Sequence, residues 1–178
     1  MLIPTNDMPA FQSLYELSIK VISRFKPSQF TLPNRRVGAG FCERPPETLY
    51  QDEFYRCLLA VTCGNVRISP EFATAQQARK AGRIDFFIPS VKWGIELTRD
   101  GNHLNERALR FGSRSAYGKW KEQGDMDEYI LLDCRAANVR DPHPNIPFLY
   151  HIVFQEDYQK VCVYDHKVTK VEEMCLQE

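Results

Sequence analysis

Residues 82–101, GRIDFFIPSVKWGIELTRDG, constrain the fold more than any other stretch of the chain. Two alternating runs flank a short polar turn. In the first, Ile84, Phe86 and Ile88 share one face, with Asp85 and Phe87 on the other. In the second, Trp93, Ile95 and Leu97 oppose Gly94, Glu96 and Thr98. Pro89 interrupts the first run, so Ser90 and Val91 read as the centre of a two-residue loop that pairs Pro89 with Lys92. That register makes the numbers of every opposed pair sum to 181, which places Asp85 opposite Glu96. Opposed side chains lie roughly 4.5–5.5 Å apart at Cβ, and like charges there repel. Something positive belongs between the two carboxylates, and a divalent metal is the simplest candidate. The bland alternative is a solvated edge with both acids in water, and a one-residue slip would send one acid to the other face.

The rest of the composition is that of an ordinary soluble domain. The chain of 178 residues is long enough for one domain with its own core, and 43% of it is apolar. Lys plus Arg equals Asp plus Glu, 23 against 23, so no global basic footprint marks a polyanion binder. Locally, residues 99–121 carry six basic side chains against two acidic ones, whereas residues 122–133 carry five acids and no base. Such asymmetry steers a polyanion toward one face, although charge runs also serve simply as solvated surface. The six cysteines form no CxxC and no Cys/His pairing at zinc spacing. Cys57, Cys134 and Cys162 lie in apolar runs, as small buried hydrophobes do, and the expected compartment is reducing. No run approaches the ~20 apolar residues of a membrane span. No secretory signal is visible, which gives an intracellular expectation, nucleus or cytoplasm, with no membrane partner.

Along the chain, residues 11–25 read as an amphipathic helix and residues 33–46 as a loop. A second helix is expected over 47–63, opened by Pro45-Pro46 and ended by Gly64. Its apolar stripe is Tyr50, Phe54, Cys57, Leu58 and Val61; Glu53 borders that face, while Asp52 and Arg56 point away. An inward-leaning Glu53 needs a partner, either an ordinary cation or the Asp85/Glu96 site. Residues 66–72 read as a strand bent at Pro70. After the hairpin, Asn102 is expected to cap a helix running to Phe111 or Gly112. That helix has an apolar stripe of Leu104, Ala108 and Phe111 and a polar stripe of His103, Arg107, Arg110 and Arg114. Residues 129–134 read as a strand buried on both faces. Residues 148–154 and 161–164 read as a closing strand pair, and the tail as a weak helix or disordered. There is no G-x-x-x-x-G-K-S/T phosphate loop.

This order, with a Glu on the first core helix, an Asp on the second core strand and E-x-x on the third, resembles the PD-(D/E)xK nuclease superfamily. YQDEFYRCL (50–58), ISPEF (68–72), GRIDFFI (82–88), WGIELTRDG (93–101), ERALRF (106–111), YILLDCR (129–135) and FLYHIVF (148–154) together resemble one lineage within it. That lineage is the nuclease-like C-terminal domain of crinkler-type effectors. The resemblance implies an α/β (α+β) fold, a restriction-endonuclease-like core with a mixed central sheet flanked by helices. It implies one domain overall: a helix and loop over 1–45 packing on the core, the nuclease-like core over 46–165, and a tail over 166–178.

The resemblance also implies a function. Glu53, Asp85 and Glu96 would be the acidic set and the Leu97 carbonyl a further ligand, holding Mg2+ or Mn2+ for phosphodiester hydrolysis. The superfamily lysine is replaced by Thr98, which carries no charge. Arg99 alternates to the wrong face, so Arg107 and Arg110 are the candidate substitute cations, although the lineage has a His where Arg107 stands. Nucleic acid, DNA before RNA, would be held by Arg99, His103, Arg107, Arg110, Arg114 and Lys119. The alternative is a catalytically weakened nuclease fold that binds nucleic acid or host proteins.

Overall fold

The hairpin at the centre of the sequence organises the sheet. The computed structural model describes residues 11–31, 36–37, 40–41, 45–72, 83–112 and 116–178, with 36–37, 40–41 and 116 as backbone alone. Strands β4 (Ile84–Ile88) and β5 (Trp93–Arg99) pair antiparallel. Phe86 opposes Ile95, Phe87 opposes Gly94 and Ile88 opposes Trp93, the register in which pairs sum to 181. The loop is wider than expected: both strands stop short of it, residues 89–92 turn, and Lys92 takes a left-handed backbone (φ 54°). Pro89 and Lys92 are therefore not a ladder pair, because Pro89 has no N–H to give and Lys92 has left the extended region. Gly94 is required by packing, since a Cβ there would stand 2.5 Å from Ile84 Cδ1 and 3.0 Å from Met126 Sδ.

Seven strands form one mixed sheet in the order β3-β4-β5-β6-β7-β8-β9. The outer pairs are antiparallel: β3 (Ser69–Phe72) on β4 at one edge, and β7 (Leu149–Gln155), β8 (Lys160–Asp165) and β9 (Lys170–Cys175) at the other. The central strands β5, β6 (Glu128–Arg135) and β7 run parallel, buried on both faces. The expected strand over 66–72 is reduced to its last four residues, with Glu71 at φ 48° breaking the pairing beside Pro70. The tail is neither helix nor disordered. β9 is an exposed edge strand whose backbone completes β8, and backbone pairing needs no apolar side chains. Residues 36–37 (β1) and 40–41 (β2) form a separate two-stranded pair.

One sheet face is covered by α1 (Leu14–Ile22) and α2 (Glu47–Val61). Leu17, Val21, Phe54 and Leu58 pack there against Ile95, Leu97, Leu132 and Ile152. α1 starts where Ser13 Oγ accepts the Glu16 N–H, and the Glu16 carboxylate accepts the Gln12 N–H. α2 starts after Pro46 and ends where Cys63 and Gly64 turn left-handed and the Gly64 N–H returns to the Leu59 carbonyl. The other face is covered by α3 (Leu104–Leu109) and α4 (Ala116–Glu122), through Phe111, Tyr117 and Trp120 on Ile84 and Phe87, and Leu104 on Leu131 and Leu149. Asn102 does not cap α3. His103, left-handed at φ 53°, precedes the helix without a side-chain cap bond, and the Asn102 carbonyl instead accepts from Thr98 Oγ1 at 2.7 Å.

That second face carries an unusual line of polar residues. Glu96 and Thr98 on β5, Asp133 on β6 and His151 on β7 are all buried, and Thr98, Asp133 and His151 stand level on neighbouring strands. Apolar burial alone would not retain them, since each buried polar group costs stability unless it is hydrogen-bonded. Among the described residues no helix is long and apolar enough to cross a membrane.

Candidate active site

Two strands and two helices bring the charges together at the end of β5. The paired part of the hairpin ends at Phe86 and Ile95, and the Leu97 N–H then donates to Asp85 Oδ2 at 2.7 Å. This turns the Asp85 carboxylate toward β5. Glu96 lies beside it on the buried face. From the facing helix, Arg107 Nη1 donates to the Leu97 carbonyl at 2.5 Å and stands 3.4 Å from Glu96 Oε1 and 3.9 Å from Asp85 Oδ2. Its Nη2 donates to Glu47 Oε1 at 2.5 Å, and Arg110 Nη1 reaches Glu96 Oε1 at 2.9 Å. The positive charge that the sequence demanded between Asp85 and Glu96 is a guanidinium.

The electrostatics follow from burial. The Glu96 side chain is 1% exposed, and burial, reinforced by the charge of Asp85, pushes its carboxyl up to about 8 despite Arg110 and Arg107. Burial likewise raises Asp85 to about 6, against the pull of the Leu97 N–H, Arg107 and the Gln51 side chain. Glu96 Oε2 and Arg107 Nε are buried without a hydrogen-bond partner among the described residues. The arrangement is therefore under-satisfied at its centre: two carboxyls held above their ordinary range, one of them with an unused oxygen.

Glu53 is not part of this cluster. Its carboxylate accepts from the Lys26 N–H at 2.8 Å and is forked by Arg56 at 2.7 and 2.6 Å, tying α2 to the segment after α1. Arg56, expected to point away, is thus its partner. The reason is helical phase. Glu47 and Gln51 are one turn apart and share the side that meets β4 and β5, whereas Glu53 is rotated by roughly 200° from Gln51. Glu47, read from sequence only as a helix opener, takes the place expected of Glu53. An acid one turn before a glutamine, at a helix start facing the hairpin, was the available signal.

The other candidates divide plainly. Thr98 is fully buried, its hydroxyl committed to the Asn102 carbonyl. Arg99 points to the opposite face, where it donates to the Pro45 carbonyl at 3.2 Å and pairs with Asp100 at 3.3 Å. His103 is exposed and pairs with Glu106 at 3.0 Å. Lys119 is exposed on α4. Arg114 lies outside the described residues.

As a donor set, the Asp85 and Glu96 carboxylates and the Leu97 carbonyl offer oxygen ligands to one point, and the orphaned Glu96 Oε2 gives that set a spare oxygen. Hard divalent cations take such oxygens, and magnesium commonly keeps several waters alongside one or two carboxylates. The residues fit such an ion if Arg107 Nη1 yields the position. Among the described residues no group of three or more His, Cys, Asp or Glu side chains is arranged to hold a metal ion. No family model, curated protein or solved structure matches this chain.

Proposed function

We propose that the chain is a metal-dependent phosphodiesterase acting on nucleic acid, DNA before RNA, of the PD-(D/E)xK type and the crinkler-effector lineage that its motifs resemble. The observation that carries this reading is the convergence of Asp85, Glu96 and the Leu97 carbonyl on one cationic point, Arg107 Nη1, with Arg110 beside it. Mg2+ or Mn2+ held by these oxygens would supply Lewis-acid activation of water and charge neutralisation at phosphorus.

The chain's own residues do the rest. Asp85 and Glu96 must give up their protons to bind a cation, which their raised affinity for protons makes pH-dependent. Arg107 is anchored twice, on the site oxygens and on Glu47. A guanidinium displaced from the Leu97 carbonyl remains tethered by Nη2 to Glu47, beside the site, where it can meet a phosphate oxygen. Arg110 brings a second guanidinium to the same edge. Together they supply the positive charge that Thr98, neutral and committed to Asn102, does not.

Arg107 also motivates a second reading. A guanidinium that already pairs with the acids holds the site together without metal, which suits a nuclease fold that binds nucleic acid or host proteins without hydrolysing them. One experiment separates the two. Plasmid and single-stranded substrates are incubated with Mg2+ or Mn2+, wild type beside Asp85→Ala, with binding followed by gel shift. Metal-dependent cleavage lost in Asp85→Ala supports the hydrolase; binding without cleavage, equal in both proteins, supports the second reading.

A further inference from the structure

On the same sheet face, beyond Thr98, Asp133 and His151 form a buried pair that the candidate active site does not use. Asp133 Oδ1 accepts the Gly101 N–H at 2.7 Å; Oδ2 lies 2.7 Å from His151 Nδ1 and 3.0 Å from Arg135 Nε. Gly101 is left-handed (φ 72°), and a Cβ there would crowd Arg135 Nη2 at 3.1 Å, so this end of the cluster is built around a glycine. His151 is 1% exposed. A neutral imidazole that gives its Nδ1 proton to a carboxylate keeps a lone pair on Nε2. That Nε2 is buried and has no hydrogen-bond partner among the described residues.

A second imidazole lies against it. The His143 ring is 5.6 Å from the His151 ring, centroid to centroid, tilted by 42°. His143 is half-buried on the segment between β6 and β7. Its backbone is fixed on both sides, by donation to the His166 carbonyl at 2.6 Å and by acceptance from the Ile146 N–H at 3.0 Å. An orphaned buried nitrogen is costly. Two imidazoles on a pinned backbone, one of them reachable from solvent, offer a way to satisfy it.

We propose that His151 Nε2 and His143 form a two-imidazole site for a borderline transition-metal ion of the Zn2+ or Co2+ class, with Asp133 orienting His151 from behind. Histidines that ligate metals almost always donate their other ring N–H to a carboxylate or carbonyl, which is the arrangement His151 already has. Imidazole nitrogens select such ions, whereas the carboxylate oxygens around Asp85 suit magnesium or manganese. With metal–nitrogen bonds of about 2.0–2.1 Å, two rings sharing one ion have centroids roughly 5–6 Å apart. The observed separation falls in that range. The charge of Arg135 is held by Asp133, so it does not stand unneutralised beside the site. No third His, Cys, Asp or Glu among the described residues completes the pair, so water or an outside ligand fills the remaining positions.

The test is a titration of the intact chain with Co2+, read by visible absorption, and with Zn2+, read by calorimetry. The expected result is one site per chain, weakened at least about tenfold in His143→Gln and in His151→Gln, and unaltered in Asp85→Asn. Asp133→Asn should weaken it by about 10–100-fold without abolishing it. If His151→Gln does not fold, half-buried His143 decides alone. The proposal is overturned if the wild type binds neither ion, if His143→Gln binds as tightly as wild type, or if a thiolate charge-transfer band shows that exposed Cys63 or Cys175 is the ligand.

Discussion

Arg107 Nη1 stands 3.4 Å from Glu96 Oε1 and donates to the carbonyl of the next residue, Leu97, so one guanidinium nitrogen occupies the point a divalent ion would take. In the proposed metal-bound form, cation and metal would compete for the same oxygens. Arg107 holds the acids together in this structure and, on the proposed function, would have to move for a metal to enter.

Removal of that guanidinium should therefore be costly without metal and largely compensated with it. Arg107→Met leaves Asp85, Glu96 and Glu47 facing one another, and stripping one partner from a buried ion pair typically costs about 3–5 kcal/mol. A ligand that binds only the folded state restores stability by RT ln(1 + [L]/Kd). Thermal melts with and without Mg2+ or Mn2+ should show a larger metal-induced gain in Arg107→Met than in wild type. An equal gain in both would mean that Arg107 and the metal do not share a position.

The two raised carboxyls predict an inverted pH dependence. A carboxyl whose folded pKa exceeds its unfolded value keeps its proton in the folded state over a window where the unfolded chain has lost it. Stability then falls as pH rises through that window. For Asp85 the window runs from the ordinary carboxylate range to about 6, and for Glu96 to about 8. Each tenfold difference in proton affinity between the folded and unfolded chain is worth about 1.4 kcal/mol. The melting temperature without metal should drop between about pH 5 and 8, and Glu96→Gln should flatten the slope. Metal-induced stabilisation should grow over the same range, because the ion replaces protons.

On the proposed function, Arg110 should separate catalysis from binding. Its guanidinium is half-buried on Glu96, at the edge where a phosphate would approach. Loss of one positioned transition-state donor typically costs about 10²–10³ in rate. Arg110→Ala should lower single-turnover cleavage at saturating protein by that order, with a much smaller loss in DNA affinity. Equal losses in both would assign Arg110 to holding the phosphate backbone.

Glu53 and Glu47 give opposite signatures. Glu53→Gln removes a charge-assisted fork to Arg56 and weakens the hold on the Lys26 N–H, at a cost of about 1–3 kcal/mol, and should leave metal response and cleavage intact. Glu47→Gln loosens Arg107 and should change the metal response. Paired melts and cleavage assays on the two variants check this assignment.

The hairpin register was legible because Pro89 ends the first run and a turn centred on Ser90-Val91 fixes which residues oppose, so Phe86 faces Ile95. The alternation itself fails at Ile84, which packs with Phe87 rather than with Phe86 and Ile88. The demand for a cation between Asp85 and Glu96 was equally legible, as were Arg107 and Arg110 on one helical stripe. The identity of the third acid was not, because Glu47 and Glu53 lie on one helix, and only the angle at which α2 crosses the sheet decides which reaches it. β9 was hidden because KVEEMC has no buried face, its pairing with β8 being made by backbone groups. α4 was hidden because AYGKWKE is short and contains a glycine, and it is held by Tyr117 and Trp120 packing on Phe111 and Phe72. Asn102 has a good capping side chain, but its carbonyl was needed by buried Thr98.

The shared position of Arg107 and the metal is tested most directly by counting bound Mn2+ from the electron paramagnetic resonance signal of the free ion. One Mn2+ per chain is expected in wild type, bound more tightly in Arg107→Met, abolished in Asp85→Asn and retained in His143→Gln. Arg107→Met that binds Mn2+ no more tightly than wild type, or Asp85→Asn that binds it as wild type does, would contradict a shared position.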